Sequence, residues 1–321
     1  MTRPIATRPV CVISGASGGF GLPVAVQMAA AGFDLVLINQ DRERGMRAVE
    51  AVRAEVPRAR VVHKCVDLAS MSQVRRAAEQ IASEFATVDV LFHIAATAVP
   101  RRASTEDAFE RTLAVNYLAP FLLTQLLHDP LRAARQARVV MFSSLAERAS
   151  SIEFDDMAFE RGYSAHDGYG RSKLALVLFA NELGRRWAHD GVTANCMNPG
   201  SAPTQLLADL WAGGWRPGGR PVLWRYWGRR VRRWLRALPR VVRHPRRALH
   251  NLRSSRYERA AAVAVRLATD PALAGVSGTQ FIDDREVPSS PQSQDPALAA
   301  RLWDVTVEML SDYLPVTAIA R

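Results

Sequence analysis

The sequence predicts an α/β protein of doubly wound, Rossmann-type architecture, a mostly parallel sheet with helices on both faces. Three observations predict it. Short Val/Ile-rich runs recur along the 321 residues, separated by longer stretches with helical periodicity. The first run leads directly into a glycine-rich turn, SGASGGFG at residues 14–21, and an Ala-rich stretch follows. The composition, 48% apolar and 23% charged, suits a soluble chain with a sizeable buried core.

The elements follow in order. VCVIS (10–14) reads as the first strand, with a helix after the turn ending near Gly32. Pro23 falls in that helix's first turn, where its missing N–H does little harm. Further strands are read at DLVLIN (34–39), RVVHKCV (60–66), VDVLFHIA (88–95), RVVMFSS (138–144), VTANCMN (192–198) and GTQFID (278–283). Their lengths suit strands buried on both faces. Helices are expected at 41–55, 70–86, 106–128 and 168–189. There is no internal repeat, and one domain over 1–321 is expected. Cys11, Cys65 and Cys196 stand singly in or beside strand-like runs, as buried thiols rather than metal ligands or a disulfide framework. No apolar run reaches the ~18–20 residues of a membrane span. MTRPIATRPV passes straight into the first strand pattern, so a cytoplasmic protein is expected.

The net charge of +11 is local. Residues 211–256 hold fourteen arginines and no Asp or Glu, leaving −3 for the rest. Within that segment Leu223, Trp224, Trp227, Val231, Trp234, Leu235 and Leu238 follow helical spacing, with arginines between them.

The glycine turn is the nucleotide end of the fold. Gly15, Gly19 and Gly21 permit a tight turn and close backbone approach, and the helix after them offers free N–H groups to a pyrophosphate. Ser14, Ser17 and Phe20 complete the candidate contacts on this turn. A carboxylate at the end of the second strand would select NAD, and an arginine nearby would select NADP. Here the residues are Asn39, Gln40, Asp41 and Arg42, with Arg44 close by. Asn39 suits a ribose hydroxyl; the arginines favour NADP, with NAD the alternative. Asp67, followed by Leu68 at the end of the third strand, suits an adenine amino group or else the cap of the next helix.

GYGRSKLALVLF, residues 168–179, places Tyr169 and Lys173 four apart on one helix face. A free phenol titrates near ~10, too high for a base at neutral pH. A neighbouring ammonium and a positive nicotinamide ring would both favour the phenolate. The pair then reads as an acid/base centre beside a hydride carrier, or more plainly as a surface pair. Of Ser143 and Ser144, strand alternation would point only one into such a site. Pro120 follows Asn116 by four residues and has no N–H, so the Asn116 carbonyl loses its helical partner. That carbonyl could hold a relay water, or the proline could simply kink the helix.

With these residues in view, the chain resembles the short-chain dehydrogenase/reductase superfamily, and within it the retinol dehydrogenase-like branch. SGASGGFG, VDLASMSQVR, VNYLAPFLLTQLL, RVVMFSSLAER, YGRSKLALVLFANEL, GVTANCMNPGSAPTQL and GVSGTQFIDD with LAARLWD match in order across nearly the whole chain. The resemblance implies roles. Tyr169 matches the general acid/base, and Lys173 the residue that holds the nicotinamide ribose and lowers the tyrosine's pKa. Ser144 matches the residue that orients the substrate oxygen, and Asn116 the support of a proton relay. Pro199 and Gly200 match the turn beside the nicotinamide, and Thr204 a contact to its carboxamide.

Departures from the family stand beside these matches. After the fourth strand the family has Asn-Asn-Ala-Gly, whereas this chain has His93, Ile94, Ala95 and Ala96. Ala95 and Ala96 remain candidate cofactor contacts, with an extra methyl at Ala96. His93 is expected to be a core histidine with a satisfied hydrogen bond. The family's arginine after the second strand is Gln40 here.

The resemblance implies interconversion of an alcohol with an aldehyde or ketone, on a bulky apolar substrate. Alternatives are reduction of a C=C or C=N bond at the same site, and a catalytically silent nucleotide-binding scaffold acting through the basic segment. The 211–256 segment follows the Pro-Gly turn, where the family places its variable substrate-binding region. It reads as a lid over an apolar pocket, as peripheral contact with an anionic membrane, or, least favoured, as a nucleic-acid surface. Homo-oligomers would fit the resemblance.

Overall fold

Because the predicted strands are short, apolar and joined by helices, the connections are expected to cross over and leave the strands paired in parallel. The computed structural model of the chain shows this arrangement; it describes residues 8–200 and 245–316, with side chains from Arg256 onward in the helix that begins at Pro245. The strands are β1 (Val10–Ser14), β2 (Asp34–Asn39), β3 (Val61–Cys65), β4 (Val90–His93), β5 (Ala137–Phe142), β6 (Val192–Asn198), β7 (Thr279–Ile282) and β8 (Arg285–Val287). They form one sheet in the order β3-β2-β1-β4-β5-β6-β7-β8. Every pairing is parallel except β7 with β8. The β8 hairpin partner was not expected from the sequence, since Arg285–Val287 is short and exposed at two of its three positions.

The helices are α1 (Gly21–Ala30), α2 (Arg42–Glu55), α3 (Met71–Glu84), α4 (Arg111–Leu113), α5 (Ala119–Leu126), α6 (His128–Ala133), α7 (Ala165–Arg186), α8 (Pro245–Thr269) and α9 (Pro296–Met309). Their starts are set by local chemistry. Asp41 caps α2 by accepting from the Arg44 N–H, and Ser164 caps α7 by accepting from the Asp167 N–H. The helix expected over 106–128 begins only at Arg111, where buried Glu110 accepts from the N–H groups of Thr112 and Leu113. It then passes through a π turn at Ala114–Leu118, in which the Ala119 N–H reaches back to the Ala114 carbonyl. α5 follows from Ala119, with Pro120, which cannot donate to the Asn116 carbonyl, as its second residue.

Strand alternation divides the core into two layers. Val10 and Val12 of β1 face one layer, Cys11 and Ile13 the other. The first layer is completed by an aromatic group, Phe121, Phe179 and Trp303, with centroids 4.9–5.8 Å apart. On the opposite face, α8 lies along α1. Tyr257 sets its ring edge-on to Phe20 at 4.9 Å, and Gln27 donates to Glu258 at 3.1 Å. Cys11 and Cys196 are buried as expected, but Cys65 is exposed. The reason is topological: β3 is an outer strand of the sheet, and its last residue lies on the rim. Among the described residues no helix is long and apolar enough to cross a membrane, and no His/Cys/Asp/Glu group is placed to hold a metal. Thr204 and the amphipathic pattern at 223–238 lie outside the described residues.

Candidate active site

The strand order reverses between β1 and β4, and a doubly wound sheet opens a crevice at that point, at the carboxyl ends of its strands. The site residues predicted within the described part lie at or just after strand ends, at the starts of α1 and α2, in the Ala114–Leu118 turn and in α7.

The glycine turn follows β1. The Gly15 N–H donates to the Ile38 carbonyl, and the Ser14 carbonyl accepts from Ala95, tying the turn to its neighbouring strands. A Cβ on Gly15 would lie 2.6 Å from the Ala95 nitrogen, and one on Gly21 would lie 2.1 Å from the Gly15 carbonyl oxygen. These two glycines are therefore required by packing. Gly18 and Gly19 face open space, with nothing within 4 Å of where a Cβ would stand. Phe20 gives α1 no side-chain cap; in the first turn the Gly21 N–H donates to the Gly18 carbonyl and Pro23 has no N–H, which leaves Leu22 as the donor offered to a ligand.

At the end of β2, Asn39 is buried, and neither its Oδ1 nor its Nδ2 has a partner. An orphaned amide costs about 1–3 kcal/mol unless a ligand satisfies it. Gln40 donates to Asp67 Oδ2 at 2.9 Å, bridging the ends of β2 and β3. The other Asp67 oxygen accepts from Ala69, making a local turn, while the residue at the cap position of α3 is Ser70. The capping alternative for Asp67 is thus set aside. Arg42 opens α2 and is exposed; Arg44 is held by Asp41 at 3.6 Å. The open glycine turn, the uncapped helix and the orphaned Asn39 fit a dinucleotide.

At the ends of β5 and β6 and on α7 the remaining groups converge. Ser143 is occupied: its hydroxyl donates to the Met197 carbonyl and accepts from Gln280. Ser144 is the serine that faces Tyr169, and its hydroxyl helps to hold the phenol's pKa down. Burial is the larger effect and pushes Tyr169 up to about 12. Lys173 lies with its Nζ 5.6 Å from the Tyr169 ring centre and donates to the Phe142 carbonyl at 2.8 Å. Burial lowers Lys173 to about 8. The depression of the phenol by Lys173 that the resemblance implies is not seen: burial raises Tyr169, the Ser144 hydroxyl is what lowers it, and the Lys173 ammonium is directed at the Phe142 carbonyl.

Asn116 does more than the sequence indicated. Its side chain accepts from the Thr97 N–H at 2.8 Å, and donates to the Thr97 carbonyl and the Ser172 hydroxyl, both at 2.9 Å. Ser172 in turn donates to the Tyr169 carbonyl. Ser172 was missed, although its place three residues after Tyr169 marks the same helix turn. His93 is a core histidine as expected, with Nε2 2.8 Å from the Thr124 hydroxyl. Burial, then the charge on Lys173, lowers it to about 3, so it is neutral. Pro199 and Gly200 form the turn after β6, where the Gly200 N–H donates to Asn198 Oδ1. Ser17, Phe20, Leu68, Ala95 and Ala96 border the crevice ends named above, and none is fully buried.

The family model for short chain dehydrogenases matches residues 9–214. The chain belongs to the short-chain dehydrogenase family. Within it, the chain belongs to the retinol dehydrogenase-like branch, and it is an NAD(P)-dependent oxidoreductase acting on alcohols. It is 33% identical to human retinol dehydrogenase 13 over 296 residues, 91% of this chain and 81% of that one. It is 33% identical to mouse polyprenol dehydrogenase over 300 residues, 92% and 81% of the two chains. Among solved structures, one from Mycobacterium paratuberculosis superposes with a TM-score of 0.68 at 25% identity, covering 97% of this chain and 96% of its own. Levodione reductase, at 20% identity and a TM-score of 0.61 over 91% of this chain and 98% of its own, shares the fold.

Proposed function

We propose that this dehydrogenase interconverts a bulky apolar alcohol with its aldehyde or ketone, with Tyr169 as general acid/base. The observation that carries the reading is the meeting of Tyr169, Lys173 and Ser144 at the crevice beside the open glycine turn. Two relatives are named for retinol and polyprenol, which are long apolar alcohols, and this favours an apolar substrate.

Ser144 donates to the substrate oxygen and holds it in line with the phenol. Tyr169 takes the hydroxyl proton in the oxidising direction and returns it in the reducing one. With the cofactor bound, Lys173, whose ammonium donates here to the Phe142 carbonyl, would hold the nicotinamide ribose and favour the phenolate. Asn116 braces the Thr97 backbone, and its carbonyl, which receives no N–H from Pro120, is the place for a relay water. Bound nicotinamide supplies or accepts the hydride. Ser14, Gly15, Ser17, Gly19, Phe20 and Gly21 would hold its pyrophosphate, and Asn39, Gln40, Arg42, Asp67 and Leu68 the adenosine. Ala95, Ala96, Pro199, Gly200 and Thr204 would flank the nicotinamide half. Arg42 favours NADP over NAD. The protein acts as one cytoplasmic domain, and the basic 211–256 segment, whose last residues from Pro245 belong to α8, serves as a lid or as a contact with anionic membrane.

The test is reduction of all-trans-retinal and decanal with NADPH and NADH. Wild type turns over at least one aldehyde, and Tyr169→Phe loses at least about 10³-fold in kcat while its NADPH Kd stays within about twofold. Retained turnover in Tyr169→Phe refutes the assignment.

A further inference from the structure

A catalytic tyrosine must leave its hydroxyl free for the substrate, so what packs on its ring sets its orientation. The ring of Tyr169 clusters with Ala98 and Ala165, and Ala146 lies against them. An alanine methyl has no rotamer; its position is that of its backbone. Whatever fixes the backbone at Ala98 therefore fixes that side of the ring.

The backbone around Ala98 is pinned on both sides. Asn116 brackets Thr97, as described above. Tyr163 donates its hydroxyl to the Val99 carbonyl at 2.8 Å, and the Val99 N–H reaches Thr112, which also meets Tyr163. Tyr163 lies in the long stretch between Ser144 and Tyr169, and it packs so closely on the start of α7 that a Cβ on Gly168 would meet its ring at 2.8 Å.

Tyr163 is itself held by a residue of the YGRSK sequence. Arg171 is two positions from Tyr169, hence on the far side of α7. It is buried, donates to the Asp156 carbonyl at 2.7 Å and pairs with Glu153 at 3.1 Å. Its guanidinium lies 3.7 Å over the ring of Phe159, and Phe159 meets Tyr163 edge-on at 5.4 Å. Phe159 has φ +52°, a left-handed conformation that a bulky residue adopts only where its surroundings impose it. The Asp156 carboxylate, accepting from the Glu160 and Arg161 N–H groups, imposes the turn from the other side.

We infer that Arg171 and Tyr163 are positioning residues that set the ring of Tyr169 by fixing the 97–99 backbone against it. The inference rests on the reading of Tyr169 as the acid/base. A misplacement of about 1 Å at a reacting group can cost ~10²-fold in rate, so a partial loosening is measurable.

The experiment compares wild type, Tyr169→Phe, Tyr163→Phe, Arg171→Met and the Tyr163→Phe/Arg171→Met double variant. All-trans-retinal with NADPH is the probe. Tyr163→Phe keeps the ring contact with Phe159 and removes only the hydroxyl. Expected are a fall in kcat of about tenfold, an NADPH Kd within about twofold of wild type, and an upward move of the pH midpoint of kcat as the displaced phenol loses Ser144. The double variant is expected to be no slower than the slower single variant, because both act through one path. A wild-type kcat and pH midpoint in Tyr163→Phe overturns the inference, whatever the melting temperature. So does a change confined to KM, which would make the loop a substrate contact. If Tyr169→Phe is inactive while Tyr163→Phe is normal, only this inference fails; if Tyr169→Phe is active, the reading beneath it fails too.

Discussion

His93 makes acid sensitivity a specific prediction. In the unfolded chain a histidine takes up a proton near pH ~6.5. In the folded protein His93 refuses it down to about 3, because it is buried and faces the charge on Lys173. Below pH ~6.5 the unfolded state therefore binds one more proton than the folded state, and stability falls as the pH falls, with this contribution complete near 3. At pH 5 the gap from ~6.5 is about 1.5 units, or ~2 kcal/mol at ~1.4 kcal/mol per unit. The perturbation is His93→Asn, which removes the titration. Urea unfolding at pH 7.5 and pH 5.0 gives the stability lost on acidification for each protein. Carboxylates and the other histidines contribute alike to both, and any packing cost of the substitution appears at both pH values and cancels. Wild type should lose about 2 kcal/mol more than the variant. Equal losses, within about 0.5 kcal/mol, would refute the argument, since His93 would then accept a proton in the folded state as readily as in the unfolded one.

Two further predictions concern the nucleotide end. Gly21→Ala places a methyl 2.1 Å from the Gly15 carbonyl, so the turn must open; NADPH Kd should rise at least about tenfold and the melting temperature should fall by several degrees, and unchanged values would show the turn to be slack. Arg42→Ala removes an exposed guanidinium at the start of α2; NADPH Kd should rise about tenfold with NADH Kd changed less than about twofold, and parallel changes in the two would remove Arg42 from cofactor selection.

The sequence by itself determined the sheet-and-helix alternation, the glycine turn and the Tyr169–Lys173 spacing. Each of these is a relation among neighbours in the chain, which periodicity and turn chemistry express directly. The surroundings of the two serines needed the structure: alternation says only that one faces the site, whereas the fold engages Ser143 with Gln280 and the Met197 carbonyl and sets Ser144, which accepts from the Ala146 N–H, toward Tyr169. The exposure of Cys65 followed from β3 being an outer strand, and the unpartnered amide of Asn39 from what its neighbours fail to offer. Arg171 and Tyr163 carried no signal of their own, since their meaning lies in Phe159, Val99 and Ala98, which folding alone brings to them. The titration of Tyr169 and Lys173 was likewise decided by tertiary structure: helix spacing puts them side by side, but desolvation, which raises one and lowers the other, depends on every element packed over them.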